Sequence, residues 1–475
     1  MRYSPLLTDL YELTMLAGYL EEGMEAKPAV FDLYFRTNPF EGGYAVFAGL
    51  EPALDFLEQV RFSEDELDFL TGLGLFKPHY IEYLRGFRFR GKVIAPPEGS
   101  IVFANEPLLT VEGTLAEAQF VETALLNIIN FQTLVATKAA RICHAADGAE
   151  VFEFGLRRAQ GPDGGLSASR AAFVGGCKGT SNALAGKLFG LPVRGTQAHS
   201  WIQAFPDELS SFRSYAATFP ESTILLVDTY DTLKSGVPHA IIVARELHEQ
   251  GRKILGIRID SGDLAYLSRE ARQMLNKAGL NDVKIVVSND MDEFVIESVR
   301  SEGGRVDVYG VGTSLVTCAG AGGGSLGGVY KLVDIDGEPT LKVTGDLAKS
   351  TLPGKKRVLR FVEPEGRFIQ DVVCLEGETI TCGDTVYDPI NPLQHTTIPL
   401  GAEIRELREV VMVDGCRLLP KESLASMADR CWEELTNLPK GCIRVINPHR
   451  YKVSMSDKLT CLRGSLINRL KTVGA

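Results

Sequence analysis

The sequence predicts an α/β protein whose middle part closes into a (β/α) barrel, and three observations lead there. Short apolar runs recur at VFEFG (151–155), AFVGG (172–176), PVRGT (192–196), TILLVDT (223–229), ILGIRID (254–260), KIVVSND (284–290) and VDVYGVG (306–312). Amphipathic stretches such as VPHAIIVARELHEQG, DLAYLSREARQMLNKAGL and MDEFVIESVRSEGG separate the later runs, which is the alternation of parallel strands with crossover helices. Polar segments leave the strand ends, among them GLRRAQGPDGG, GCKGTSN, GTQAHS, DTYDT, DSGD, SNDMDE and GTSLVTC. Seven candidate strands in succession favour a barrel over an open doubly wound sheet, and in a barrel those polar loops converge on one face.

The flanking elements follow in order. Residues 1–115 read as an N-terminal α/β domain: a helix after Thr8 and Asp9, a strand at AVFDLYFR (29–36), and a strand or turn passing into a helix through GYAVFAGLEPALDFLEQV. GKVIAPPEGSIVFANEPLLTVEG then has the short strands and Gly/Pro turns of a small antiparallel sheet. The barrel domain spans 116–325 and opens with one or two long apolar-periodic helices up to Ala146. Residues 326–475 form a C-terminal region of mixed strands and helices, partly packing on the N-terminal domain. The Gly-rich run AGAGGGSLGG (319–328) is expected to be a mobile loop, and GVYKLVDIDGEPTLKVTGD after it a strand-and-turn region.

Composition narrows the partners. Sixty-one Asp and Glu against 50 Lys and Arg give a net charge of −11, which disfavours nucleic acid and anionic membrane. No apolar stretch has the length of a membrane span. Nine cysteines occur without a CxxC or zinc-like spacing, and the N-terminus lacks the apolar core of a signal peptide, so a cytoplasmic protein with reduced thiols is expected.

Several residues carry chemistry at the strand ends. His199 is a candidate base, ligand or nucleophile, though a hydrogen-bonded loop histidine is the plain alternative. Arg157, Arg158 and Arg258 offer guanidinium forks for carboxylate or phosphate, and Arg258 ends an apolar run, where a surface ion pair is a poorer explanation. Asp260 and Asp263 suit ribose hydroxyls or a cation, and equally an Asx turn capping the next helix. Gly310, Gly312 and Thr313 can present backbone N–H groups to phosphate. Lys178 reads as a solvated cation, and no Walker A ending is present.

Together, TDLYELTM (8–15), FEFGLRRAQGPDGGLSAS (152–169), GTSNALAG (179–186), GTQAHS (195–200), VDTYDT (227–232), RIDSGDL (258–264), YGVGTSLVTC (309–318), GGVYKLV (327–333) and YKVS (451–454) resemble the nicotinate phosphoribosyltransferase family over nearly the whole chain. The resemblance implies an irregular (β/α) barrel of the type II phosphoribosyltransferase kind, with an N-terminal α/β domain and a C-terminal extension. It implies a cytoplasmic enzyme of NAD biosynthesis, of the ligase class, that converts nicotinate and phosphoribosyl pyrophosphate to nicotinate mononucleotide and pyrophosphate. ATP hydrolysis alongside the reaction and a requirement for Mg²⁺ are implied as well. It further implies a homodimer with shared active sites, Tyr11 reaching the neighbour's.

By the same resemblance His199 is the phosphorylated histidine and, with Arg258 and Asp260, the catalytic set. Arg258, Arg157 and Thr196 are implied as nicotinate contacts. Asp228, Asp260 and Asp263 are implied for ribose, pyrophosphate and Mg²⁺, with Asp228 and Asp260 the metal candidates. Ser288, Gly312 and Thr313 are implied for the 5′-phosphate. Ser181 stands where the related nicotinamide enzyme carries an aspartate, so it can donate to a carboxylate that an aspartate would repel. Nicotinamide or quinolinate as substrate, or a non-catalytic phosphosugar-binding barrel, are the alternatives.

Overall fold

A computed structural model describes residues 3–322, 324–342, 351–391 and 393–473. Gly323 of the Gly-rich run and the end of the following strand-and-turn region, from Val343, lie outside the described residues. The chain divides into two compact units, one made of the residues up to Thr137 with those from Ser325 onward, the other of Lys138–Gly324. The border at 137/138 falls inside the continuous helix Glu122–Ala145, well beyond the expected 115/116.

In the first unit, the largely apolar run after Pro28 forms the strand Pro28–Tyr34, an interior strand of a seven-stranded sheet. It pairs antiparallel with Leu109–Thr114 on one side and with Val329–Ile335 on the other. The C-terminal strand Glu409–Val413 joins the same sheet against Lys92–Ala95, so chain segments remote in sequence complete one ladder. A second, six-stranded sheet is built around the hairpin Lys356–Val362 and Phe368–Leu375.

Buried ions tie these layers together. Arg360 donates to Asp371 (2.7 Å from Nη2), to Glu434 (3.0 Å) and to the carbonyl of Ile101 (2.7 Å). Burial opposes its charge, yet Asp371 and Glu434 outweigh that and push its pKa up. Its guanidinium lies 4.3 Å over the ring of Phe368. Lys356 similarly pairs with Asp32 at 2.9 Å, and Thr110 donates to the same carboxylate at 2.6 Å.

The second unit holds a five-stranded, wholly parallel sheet: β1 (Glu150–Glu153), β2 (Ile224–Leu226), β3 (Gly256–Ile259), β4 (Lys284–Val287) and β5 (Val308–Val311), in the order β1-β5-β4-β3-β2. Helices bury the sheet, which is why its strands read as near-continuous apolar runs. Helix Leu264–Lys277 buries Leu264, Ala265, Ser268, Ala271 and Leu275, a single face at helical spacing. Inside the unit, Glu293 receives both Lys138 (2.6 Å) and Arg141 (2.9 Å) in a buried triad.

The sheet is not closed into a barrel by its backbone, and the mixed α/β description is the one that stands. Two of the seven candidate strands fail to form. AFVGG is the end of helix Gly161–Val174, because a short apolar run does not distinguish a strand from the buried face of a helix. PVRGT contributes one isolated bridge, Val193 to Thr180, and Thr180 bridges in turn to Glu153 on β1.

Removing the Arg360 guanidinium leaves Asp371 and Glu434 buried without their cation. Arg360→Met is expected to cost about 3–5 kcal/mol, read as a lower denaturant midpoint by circular dichroism. Arg360→Lys, which keeps the charge but loses the bidentate fork, should fall between the two.

Candidate active site

The polar loops leaving the strand C-termini line an open cleft of about 780 Å³ in the second unit. Phe154, Leu156, Arg157 and Arg158 enter from β1, Arg258 and Asp260 from β3, Ser288, Asn289 and Asp290 from β4, and Gly310, Gly312 and Thr313 from β5. Ser181 and the segment Gly195–His199 complete it. Three arginines there face two aspartates, so the lining reverses the sign of the chain as a whole.

Asp228, two residues past the end of β2, organises the centre of this cleft. Its carboxylate is 1% exposed, and Oδ1 lies 3.2 Å from Nε2 of His199, whose own side chain is 38% exposed. The other oxygen accepts the backbone N–H of Asp260 at 3.0 Å and the hydroxyl of Ser261 at 2.5 Å. One carboxylate thus fixes His199 and the β3 loop together, with Nε2 the engaged ring nitrogen and Nδ1 the other. Asp260 in turn accepts a short hydrogen bond from Ser288.

Arg258 donates from Nη1 to Thr196 Oγ1 at 2.7 Å, and its buried Nε has no hydrogen-bond partner within the protein. Burial lowers its pKa, Asp260 and Asp228 oppose that, and the Arg157 cation adds to the lowering. A guanidinium held by a single hydrogen bond from Nη1 keeps donors for an incoming anion.

Below Ser181 lies a buried carboxylate. Glu153 accepts from Ser169 (2.8 Å), Thr180 (2.5 Å) and the backbone N–H of Gly155, while Asn182 caps the helix Ala183–Phe189 through Ala185 N–H at 3.2 Å. The Ser181 backbone is pinned by its N–H to the Glu153 carbonyl at 2.9 Å. At Gly310 a Cβ would come within 2.6 Å of the Phe154 ring, so only glycine lets that aromatic occupy the cleft wall.

Most of the residues singled out in sequence meet here: His199, Arg258, Asp260, Arg157, Ser181, Thr196, Ser288, Gly312 and Thr313 line the cleft, and Asp228 stands behind His199. Asp263 is absent from the lining and caps helix Leu264–Lys277 by accepting from Tyr266 N–H at 2.9 Å. Tyr11 lies in the first unit on helix Leu10–Glu21, 45% exposed, its hydroxyl pushed up to about 12 by partial burial and by Glu122 and Glu12. Sequence reasoning missed Phe154, Gln197, Asn289 and Asp290. Asn289 and Asp290 have φ of 94° and 30°, and their position in SNDMDE at a strand end was the available signal.

Comparison with known proteins places the chain in a family. The family model of the nicotinate phosphoribosyltransferase N-terminal domain matches residues 6–130, and that of its C-terminal domain matches residues 355–463. The cleft falls between the two matches, so full-length relatives decide. Nicotinate phosphoribosyltransferase of Bacillus subtilis (strain 168) is 40% identical, the alignment covering 98% of this chain and 96% of the relative. The Homo sapiens nicotinate phosphoribosyltransferase is 36% identical over 97% and 96%. The crystal structure of human nicotinic acid phosphoribosyltransferase superposes with a TM-score of 0.86 at 34% identity, covering 97% of this chain and 99% of that one. Nicotinate-nucleotide pyrophosphorylase from Pyrococcus furiosus, at 24% identity and a TM-score of 0.71, shares the fold. With relatives of this identity matched from end to end, the chain belongs to the nicotinate phosphoribosyltransferase family.

Proposed function

We propose that this cleft joins nicotinate to phosphoribosyl pyrophosphate, giving nicotinate mononucleotide and pyrophosphate, and that ATP hydrolysis is coupled to the reaction through phosphorylation of His199. The observation that carries the reading is the buried Arg258, hydrogen-bonded to Thr196 with its Nε unspent, beside Ser181 and Arg157 in the same cleft. That set recognises a small planar carboxylate. An amide substrate would want an acceptor where Ser181 presents a hydroxyl, and quinolinate would bring a second carboxylate needing further cations.

In the reaction the pyridine nitrogen of nicotinate attacks the anomeric carbon as its bond to the pyrophosphate oxygen breaks, and the electron pair leaves with pyrophosphate. No protein nucleophile is needed at that carbon, so positioning and charge stabilisation do the catalytic work. Arg258 and Thr196 hold the carboxylate, Asp260 the ribose, and Ser288 with the backbone at Gly312 and Thr313 the 5′-phosphate. His199, with Nε2 held by Asp228, offers Nδ1 to the γ-phosphoryl group of ATP. Phosphorylation helps by favouring one state of the cycle over another.

The fit for Mg²⁺ is that of an ion arriving with its substrate. Among the described residues no group of three His, Cys, Asp or Glu is placed to hold a metal. Asp228 already receives His199, Asp260 N–H and Ser261, whereas Asp260 lines the cleft and is the better ligand beside phosphate oxygens. Bound Mg²⁺ supplies charge neutralisation for the departing pyrophosphate.

The same proposal includes a homodimer in which the exposed Tyr11 reaches the neighbouring chain's cleft, and a cytoplasmic location. Nine free cysteines fit the latter, and among the described residues no helix is long and apolar enough to cross a membrane.

Purified protein with phosphoribosyl pyrophosphate, Mg²⁺ and nicotinate should yield nicotinate mononucleotide, more of it with ATP, and little product from nicotinamide. Product from neither pyridine overturns the reading. Ser181→Asp should lower kcat/KM for nicotinate about 100-fold, by like-charge contact worth several kcal/mol, and raise use of nicotinamide. His199→Asn should incorporate no acid-labile phosphate from ATP and lose ATP stimulation while retaining basal synthesis.

A further inference from the structure

We propose that Gln197 is a positioning residue that closes the seam of the parallel sheet with its side chain and thereby sets the register of the segment carrying Thr196 and His199. The inference rests on the proposed function for its catalytic consequence, but on geometry for its structural one.

Strand β2 is the edge of the sheet. Toward β3, the N–H of Leu255 donates to the Thr223 carbonyl at 2.9 Å and that of Val227 to the Arg258 carbonyl at 3.0 Å, so the odd positions face inward. The even positions, Ile224 and Leu226, therefore turn their backbone groups to the open side. Gln197 meets them there. Oriented to satisfy both partners, its amide donates to the Ile224 carbonyl at 2.9 Å and accepts the Leu226 N–H at 3.2 Å. A residue of a parallel neighbour facing Leu225 would make this same pair of bonds, so the primary amide stands in for the N–H and C=O of one residue of a missing strand.

The residue is 7% exposed, which makes both bonds costly to lose. On its other side the segment is tied by backbone: Val193 bridges to Thr180, and Thr180 to Glu153 on β1. Gln197 thus extends the backbone ladder that starts at β1 to the open edge of β2. Its neighbours in sequence each hold a cleft group, Thr196 through Arg258 at 2.7 Å and His199 through Asp228 at 3.2 Å. Both contacts depend on where the segment is seated against β2. A methionine would fill the space without the bonds, and a glutamate would turn an acceptor toward the Ile224 carbonyl.

Two variants test this. In Gln197→Met, hydrogen exchange at the Leu226 amide should accelerate at least about tenfold, and kcat and phosphate transfer from ATP to His199 should each fall about tenfold. Gln197→Glu should match the methionine variant at pH 8 and recover toward wild type as pH falls to 5. The protonated carboxyl then donates to Ile224 and accepts from Leu226, and burial beside a carbonyl raises its pKa. Unchanged Leu226 exchange in Gln197→Met overturns the seam, and wild-type kcat with faster exchange overturns the positioning role. A Gln197→Glu profile parallel to wild type across this range also overturns it. If wild-type protein makes no nicotinate mononucleotide while Leu226 loses protection in the variant, the seam stands and the transferase reading falls.

Discussion

The cleft depends on one carboxylate. Asp228 is buried at the end of β2, and its two oxygens reach His199 on one side and the Asp260–Ser261 backbone and hydroxyl on the other. Burying an aspartate is expensive unless its acceptors are filled, and here the groups that fill them are the groups proposed for chemistry. His199 receives a defined ring orientation, and Asp260 a fixed loop from which its own carboxylate meets Ser288. Hydrogen bonds therefore connect three strand ends to one another.

The scaffold around that centre is held by ions in places where water is excluded. In one unit Glu293 collects Lys138 and Arg141; in the other Arg360 collects Asp371 and Glu434, and Lys356 pairs with Asp32. Pairs like these add less net stability than their number suggests, since desolvation offsets much of the attraction. They do penalise any arrangement that separates the partners. That matters in a chain whose seven-stranded sheet takes strands from both ends of the sequence.

Much of this was legible beforehand. The β3 and β5 runs were readable because strands buried on both faces are continuously apolar, and their polar exits because parallel strands place all such loops at one end. Arg258 was readable since a cation ending an apolar run has few bland explanations. AFVGG was not, because helix Gly161–Val174 buries the same residue types at its end. Gln197 was invisible: its role lies in a backbone pairing that only the three-dimensional edge of β2 creates. Asp263 shows the reverse case, where the capping reading describes the contact it makes.

The chain carries a net charge of −11, yet the ligands proposed for it are anions. Long-range attraction does not gather them, so recognition rests on Arg157, Arg158 and Arg258, the Ser181 and Thr196 hydroxyls, and backbone N–H groups at the strand ends. Calorimetric titration of the protein with the two product nucleotides tests this most directly. Nicotinate mononucleotide should bind once per chain and at least about 100-fold more tightly than nicotinamide mononucleotide, which lacks the carboxylate that a buried guanidinium pairs with. Equal affinity for the two, or no binding of either, would contradict the account.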